Sequence, residues 1–296
     1  MKIAVAGASG ALGSAIVREL GDSGHTVFRL VRGESRGLDE IGWDPSYGRI
    51  PAGALSGLDA VVNLYSTGLA GKRWNAAQKQ KIRDSRVVAA DTLATAVRDC
   101  GVPLLLNGSE TAYYGDTQDR QVSEGDPVGT GFHAELCRDW EAAAEAAGPD
   151  TRLLLLRFGT VLGRNSGVVK AQAPAFRAFL GGRLGRGDQY LPWITMADAA
   201  AAVRFLMTAD GVSGPVNVTA PDPRPQREFA AALGRALGRP ALWTLPRPVL
   251  RAALGEYADG FYTGQRAVPE VLTAAGFEFR HAELGAALDA VLKTGS

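Results

Sequence analysis

Lys2 to Leu20 reads KIAVAGASGALGSAIVREL. Lys2–Ala6 is a short apolar run of the kind a fully buried strand requires. Gly7, Gly10 and Gly13 follow as GxxGxxG. From Leu12 onward, Ala15, Ile16, Glu19 and Leu20 recur at helical spacing until Gly21 and Gly24 end the helix. A strand, a glycine turn and a helix in that order open a βαβ unit. Each glycine then has a mechanical role. One makes the tight turn, one lets backbone approach a phosphate, and one lets the helix pack closely on the strand. The helix N-terminus presents free N–H groups and positive potential to a pyrophosphate. Gly7, Ser9, Gly10, Ala11, Leu12 and Gly13 are therefore expected to hold a dinucleotide.

The same alternation continues along the chain. Thr26 to Val31, Leu58 to Leu64 (LDAVVNL), Pro103 to Leu106 and Arg152 to Phe158 read as strands. Trp74 to Cys100 and Phe132 to Ala147 read as helices, the second ended by Gly148-Pro149. Apolar strands separated by helices mean parallel βαβ units covered on both faces. The fold class is α/β, a doubly wound parallel-sheet Rossmann domain. After Gly163 the pattern loosens: Gly181 to Gly187 reads as a loop, Ala197 to Met207 as a helix and Pro215 to Thr219 as a strand. Pro221 to Pro225 (PDPRP) marks a boundary, and helices broken by Pro240, Pro246, Pro248 and Pro269 follow it. The expected division is a dinucleotide-binding domain over 1–220 and a small, mainly helical lobe over 221–296 closing over the strand ends. Residues 164–190 would contribute to that lobe.

The second strand should end beside the adenosine ribose. An acid there bonds the 2′-hydroxyl of NAD, whereas a base accommodates the 2′-phosphate of NADP. The sequence has Arg32 at the strand tip and no acid before Glu34. Arginine pairs with phosphate in bidentate fashion, so NADP(H) is the expected cofactor.

Composition narrows the partners. The 296 residues are 46% hydrophobic and 21% charged, an ordinary globular balance. With 32 basic against 31 acidic residues the net charge is +1, so nothing argues for nucleic acid or an anionic membrane. Cys100 and Cys137 are too few for a disulfide framework or a structural zinc site, and no metal is expected. A reducing cytoplasm is the default. The apolar start superficially resembles a signal peptide, but Gly7, Ser9, Gly10, Gly13 and Ser14 interrupt it.

Motifs spread over nearly the whole chain carry a family resemblance. They are Gly7 to Gly13, Arg32, Trp43-Asp44-Pro45, Asn63-Leu64, Arg73-Trp74, Ser85-Arg86 and Tyr113-Tyr114-Gly115. They continue with Cys137 to Glu141, Leu156 to Gly159, Pro192-Trp193-Ile194 with Asp198, and Ala275 to Phe279. In these the chain resembles the extended short-chain dehydrogenase/reductases, in the atypical nucleotide-sugar epimerase-like subgroup with a DUF1731-type C-terminal segment. The resemblance implies a Rossmann domain, bound NADP(H) and a C-terminal substrate lobe. It places Asn63, Leu64, Phe158 and Gly159 at the cofactor.

Extended members use a Tyr-x-x-x-Lys pair with an upstream Ser or Thr. The chemistry needs a proton donor at the carbonyl oxygen and a cation that lowers its pKa. No tyrosine here has a lysine four residues on; Tyr262 has Arg266. Alignment on Trp140-Glu141 puts His133 where the tyrosine belongs and Cys137 where the lysine belongs. Histidine exchanges protons near neutrality unaided, so His133 is a catalytic expectation, against the alternative of a residue that decorates the helix start. Ser109 is expected to hold the substrate, with Thr111 in reserve, and Tyr113 or Tyr114 to offer a phenol or plain packing. Glu110 is the unexpected residue, either a base or a solvent-facing carboxylate. Tyr113, Phe132, Trp193 and Arg266 would line the pocket. The leading expectation is an NADPH-dependent oxidoreductase, monomeric or homodimeric, reducing a small carbonyl or imine-like substrate. A nucleotide-sugar epimerase and a non-catalytic NADP(H) sensor or scaffold are the alternatives.

Overall fold

The computed structural model describes residues 1–66, 74–165 and 167–293; Arg73, singled out above, lies outside them. Among the described residues, one parallel sheet holds β1 (Lys2–Ala6), β2 (Thr26–Arg32), β3 (Glu40–Trp43), β4 (Ala60–Asn63), β5 (Leu104–Glu110), β6 (Arg152–Phe158) and β7 (Gly214–Val218). Their spatial order is β7-β6-β5-β4-β1-β2-β3, every pair parallel. The chain leaves β1 in one direction through β2 and β3, then returns to build outward from β4. The order therefore reverses between β1 and β4, and a crevice opens there beyond the strand ends.

Alternation along β1 assigns the two faces. Ile3 and Val5 pack with Ile16 and Leu20 of α1 (Ala11–Asp22) and with Val203 and Leu206 of a later helix, Met196–Thr208. Ala4 and Ala6 face the opposite side, against Ala89, Leu93 and Val97 of α2 (Ala76–Asp99). A further helix, α3 (Phe132–Ala144), lies beside α2. This is the doubly wound arrangement that the strand pattern implies.

The differences from the sequence reading are local. β3 has only four residues, and no periodicity announces it. β5 runs on to Glu110 rather than stopping at Leu106, because Asn107, Gly108, Ser109 and Glu110 pair in register with Leu155 to Phe158 of β6. The segment Gly181–Gly187 is not all loop: Gly182–Leu184 pairs with Trp243–Leu245. The C-terminal helix Leu284–Lys293 packs on helix Gln226–Leu237 over a core containing Phe176, Phe229 and Trp193. The fully buried Asp198 carboxylate accepts the backbone N–H groups of Arg280 and His281, which fastens this end of the chain to the start of helix Met196–Thr208. Among the described residues no helix is long and apolar enough to cross a membrane.

The three glycines of the first turn are not equivalent. Gly7 has φ +78°, and a β-carbon there would stand 2.7 Å from the Leu64 carbonyl oxygen. One on Gly13 would stand 2.1 Å from the Gly7 carbonyl oxygen. One on Gly10 would meet only that same oxygen, at 3.3 Å. Gly7 and Gly13 are required by the protein's own packing, and Gly10 is the least confined of the three. Gly13→Ala should therefore cost about 1–3 kcal/mol in urea unfolding, as overpacking against rigid backbone does, while Gly10→Ala should cost less, its one contact being at 3.3 Å.

Candidate functional site

The crevice is built first by backbone. Gly10 is the N-cap of α1 and gives it no side-chain cap, so among the described residues no cap side chain accepts the first-turn N–H groups. At the tip of β4, buried Asn63 donates from Nδ2 to Asn107 Oδ1 at 2.7 Å and accepts the Tyr65 N–H at 3.1 Å. Leu64 follows, half-buried against the core on the α1 face. Arg32 is exposed at the end of β2, opposite Trp43 of β3. An unhindered Gly10 beside an uncapped helix end fits the phosphates of a dinucleotide. The exposed guanidinium of Arg32 fits a 2′-phosphate. Gly159 is confined by the protein's own packing. A β-carbon there would stand 2.8 Å from the Pro192 carbonyl oxygen, so its smallness serves the packing of the strand behind it.

A second group lies behind β5. Arg157 of β6 grips Glu141 of α3 through two hydrogen bonds, Nε to Oε1 at 2.9 Å and Nη2 to Oε2 at 2.8 Å. These side chains are only 3% and 7% exposed. Ser109 donates its hydroxyl to the same Glu141 Oε1 at 2.6 Å. Arg157 Nη1 also donates to the Tyr114 oxygen at 2.9 Å, and Tyr114 donates to Asn217 Oδ1 at 2.8 Å. Burial pushes the Tyr114 phenol up to about 12 in spite of the arginine. The Arg157 guanidinium lies over Tyr113, 3.5 Å from the ring centroid. The expected roles of Ser109 and Tyr113 thus meet a physical obstacle: the serine hydroxyl is buried and engaged by Glu141, and one face of the tyrosine is covered by Arg157. Thr111 is buried as well.

The third group faces the other side of the β5 end. Glu110 is its last residue, one-third exposed, with Arg86 Nη2 of α2 at 3.5 Å from its carboxylate. Cys137 of α3 is buried. His133, one turn earlier on that helix, stacks on Trp74 with ring centroids 5.2 Å apart. Phe132 meets Trp74 edge-on at 5.6 Å, and Tyr257 lies against the same indole at 5.0 Å. Lys79 sits over the Phe132 ring and pairs with Glu256. A cleft of about 390 Å³ opens beside this cluster, lined by Trp74, Asn75, Arg251, Gly255 and Glu256.

Charge and burial compete at these groups. Burial lowers the His133 pKa below its ordinary 6.5; Glu110 opposes the shift, and Arg86 and Lys79 reinforce it. Burial, with Glu110 and Glu141, drives the Cys137 thiol well up, so it is a neutral, inert packing group rather than a nucleophile. Burial and Glu110 also raise the Tyr257 phenol, which stays protonated.

His133, Phe132 and Glu110 thus come together, and two expected lining residues do not join them. Trp193 is fully buried in the C-terminal core, its indole N–H donated to the Asp222 carbonyl oxygen at 2.8 Å. Arg266 donates to the Asp119 carbonyl oxygen and lies over Tyr190. Tyr257 escapes the sequence reading because no motif marks it. Trp74 and Arg86 stand out there only as family features, and an indole beside the helix-start His133 and Phe132 is a contact that only folding supplies.

Comparison with known proteins agrees with this geometry. Residues 3–219 match the NAD dependent epimerase/dehydratase family, and residues 245–291 match DUF1731, a domain of unknown function. An epimerase family protein of Mycobacterium bovis is 45% identical over 288 residues, covering 97% of this chain and 96% of that protein. The crystal structure of human epimerase family protein SDR39U1 (isoform 2) with NADPH superposes with a TM-score of 0.91 at 32% identity, over 99% of this chain and 100% of that one. A nucleoside-diphosphate sugar epimerase from Corynebacterium glutamicum gives a TM-score of 0.81 at 27% identity, over 99% of this chain and 58% of that one. The glycine turn, the doubly wound sheet and the DUF1731 segment agree with these matches, and the chain belongs to the NAD dependent epimerase/dehydratase family of extended short-chain dehydrogenase/reductases.

Proposed function

We propose that this protein is an NADP(H)-dependent oxidoreductase that reduces a small carbonyl or imine-like substrate. The observation that carries the reading is the openness of Gly10. Backbone at 2.7 Å and 2.1 Å explains why Gly7 and Gly13 lack side chains, whereas a β-carbon on Gly10 would have one contact, at 3.3 Å, and its absence leaves room for a phosphate at the helix start. Gly7 to Gly13 would hold the pyrophosphate, Arg32 the 2′-phosphate, and Asn63, Leu64 and Phe158 the strand-end side of the cofactor. That the human relative was crystallised with NADPH supports the choice. We assign residues 1–220 to cofactor binding and 221–296, with 164–190, to the substrate lobe. The setting we infer is cytoplasmic, as a monomer or homodimer, with a small molecule and neither nucleic acid nor membrane as partner.

Bound NADPH supplies the reducing equivalents; the protein supplies position and a proton. His133 stands beside the cleft among Trp74, Phe132 and Tyr257. Its imidazolium is a minority form at neutral pH, because burial lowers its pKa, and is a correspondingly strong acid. It gives its proton to the substrate oxygen or nitrogen and is recharged from solvent. Two other readings have specific support. The Ser109–Glu141 bond engages the donor of the expected substrate hydroxyl, which favours a sensor that binds NADP(H) without consuming it. The fold shared with a nucleoside-diphosphate sugar epimerase favours reversible oxidation of a sugar, although the Tyr-x-x-x-Lys pair is missing. Assay of NADPH consumption against panels of carbonyls and imines, with nucleotide sugars tested for epimer formation, separates the three.

Fluorescence titration should show NADPH binding at least tenfold tighter than NADH, about 1.4 kcal/mol, with Arg32→Ala abolishing the difference. Equal affinities in the wild type would remove the role given to Arg32. Gly10→Val should lose NADPH while keeping near-native circular dichroism, and retained binding would put the dinucleotide elsewhere.

His133→Leu should lower turnover by about 10²–10⁴-fold with cofactor affinity unchanged. Wild-type reduction should quicken as pH falls towards a midpoint below 6.5, and the variant should lack that limb. The sign for stability is opposite. Below 6.5 the unfolded chain binds more protons than the folded one, so wild-type stability declines on acidification, and His133→Leu should reduce that decline. Full activity in the variant would assign the proton to another group.

A further inference from the structure

Around the cleft beside Trp74, two carboxylates are already taken. Glu256, which lines the cleft, is paired with Lys79 of α2. Asp259 Oδ1 accepts both Nε and Nη2 of Arg247, at 3.0 and 2.8 Å. Arg251, one turn further along helix Arg247–Leu254, is exposed and lines the cleft as well. It reaches only the other oxygen of Asp259, Oδ2, at 3.8 Å, which is beyond hydrogen-bond distance. Lys79, Arg247 and Arg251 thus share two carboxylates, and Arg251 carries the positive charge left over. We propose that the cleft is the subsite for an anionic group of the substrate, a carboxylate or a phosphate, and that Arg251 binds it.

Backbone fixes where the arginine stands. Trp74 and Gly255 pair as an isolated parallel bridge, and the Gly255 N–H ends the helix by donating to the Arg251 carbonyl oxygen at 2.9 Å. Gly255 has φ +65°, so the turn that brings Arg251 to Trp74 needs a glycine. The rest of the lining selects the ligand. Trp74 is 5% exposed, its ring covered by His133, Phe132 and Tyr257, so it offers the cleft little apolar surface. Asn75 uses Oδ1 to cap α2, accepting the Gln78 N–H at 2.9 Å, and its Nδ2 is a donor. Glu256 does not turn the cleft against anions, because Lys79 matches its charge. A guanidinium and an amide remain, and carboxylate and phosphate oxygens suit the guanidinium fork through paired hydrogen bonds. One indole then joins this subsite to the proton carrier, since His133 stacks on Trp74. The proposal names the substrate class of the reductase argued above, an acid-bearing carbonyl or imine, and rests on that reading.

The subsite can be tested without turnover. In amide NMR spectra recorded with NADPH bound and ionic strength fixed by sodium chloride, inorganic phosphate or acetate should shift the Gly255 and Glu256 amides saturably. Neutral acetamide should not. The anion that binds more tightly identifies the group the substrate carries. Arg251→Ala should weaken that binding about tenfold, the scale of a hydrogen bond to a charged group. Arg251→Lys, which keeps the charge without the fork, should recover part of it, and NADPH affinity should be the same in both variants. No saturable shift at these amides, an equal shift with acetamide, or a shift unaltered in Arg251→Ala would overturn the proposal. The reductase reading fails separately: NADPH left unconsumed with every carbonyl and imine, acid-bearing or neutral, would overturn that reading, while the spectra still decide the anion subsite.

Discussion

Arg157 and Glu141 leave water together, and the placement of the site follows from how they are held. A buried ion pair contributes little net stability, because desolvation consumes most of the Coulomb gain. Breaking it is another matter: one charge left alone costs about 3–5 kcal/mol. Here the pair ties β6, next to the edge of the sheet, to α3, and polar neighbours extend it on both sides. Ser109 bonds Glu141, Tyr114 bonds Arg157, and Asn217 of β7 bonds Tyr114. This network orients α3 on the sheet. The start of α3 carries Phe132 and His133, so the pair behind β5 decides where the imidazole in front of it stands.

Two kinds of electrostatics meet across that strand end. Behind it, charges are matched, dry and closed to ligands. In front, burial and charge are left in tension around His133, with a carboxylate pulling one way and two cations the other. Tension of this kind is what the proton-transfer role proposed for His133 requires, since a fully matched ion pair has no reason to exchange its proton. The aromatic wall of Trp74, Phe132 and Tyr257 sharpens it by excluding water from one side of the ring.

The glycine turn shows how a single motif divides its labour. Gly13 lets α1 lie on the turn and Gly7 lets the turn lie on the tip of β4, both against backbone that cannot move aside. At Gly10 a β-carbon would meet one atom, at 3.3 Å. Sequence spacing treats the three alike, and only the distances separate the two held against rigid backbone from the one with more room.

Strand and helix alternation, the glycine turn and Arg32 at the strand tip were legible because each is local. Periodicity reports which side of an element is buried, and a turn's chemistry is contained in a few adjacent residues. β3 was invisible because four residues carry too little pattern, and the extension of β5 was invisible because its pairing partner lies on another strand. The same limit governed the site. The sequence by itself determined the α/β class, the dinucleotide turn and the absence of Tyr-x-x-x-Lys. Folding supplied the rest: Ser109 is engaged by Glu141, Trp193 sits in the C-terminal core, Arg266 lies over Tyr190, Phe132, His133 and Tyr257 gather on Trp74, and Arg86 meets Glu110. Those contacts depend on which face of β5 a side chain leaves and on segments far apart in the chain, and neither is written in local spacing.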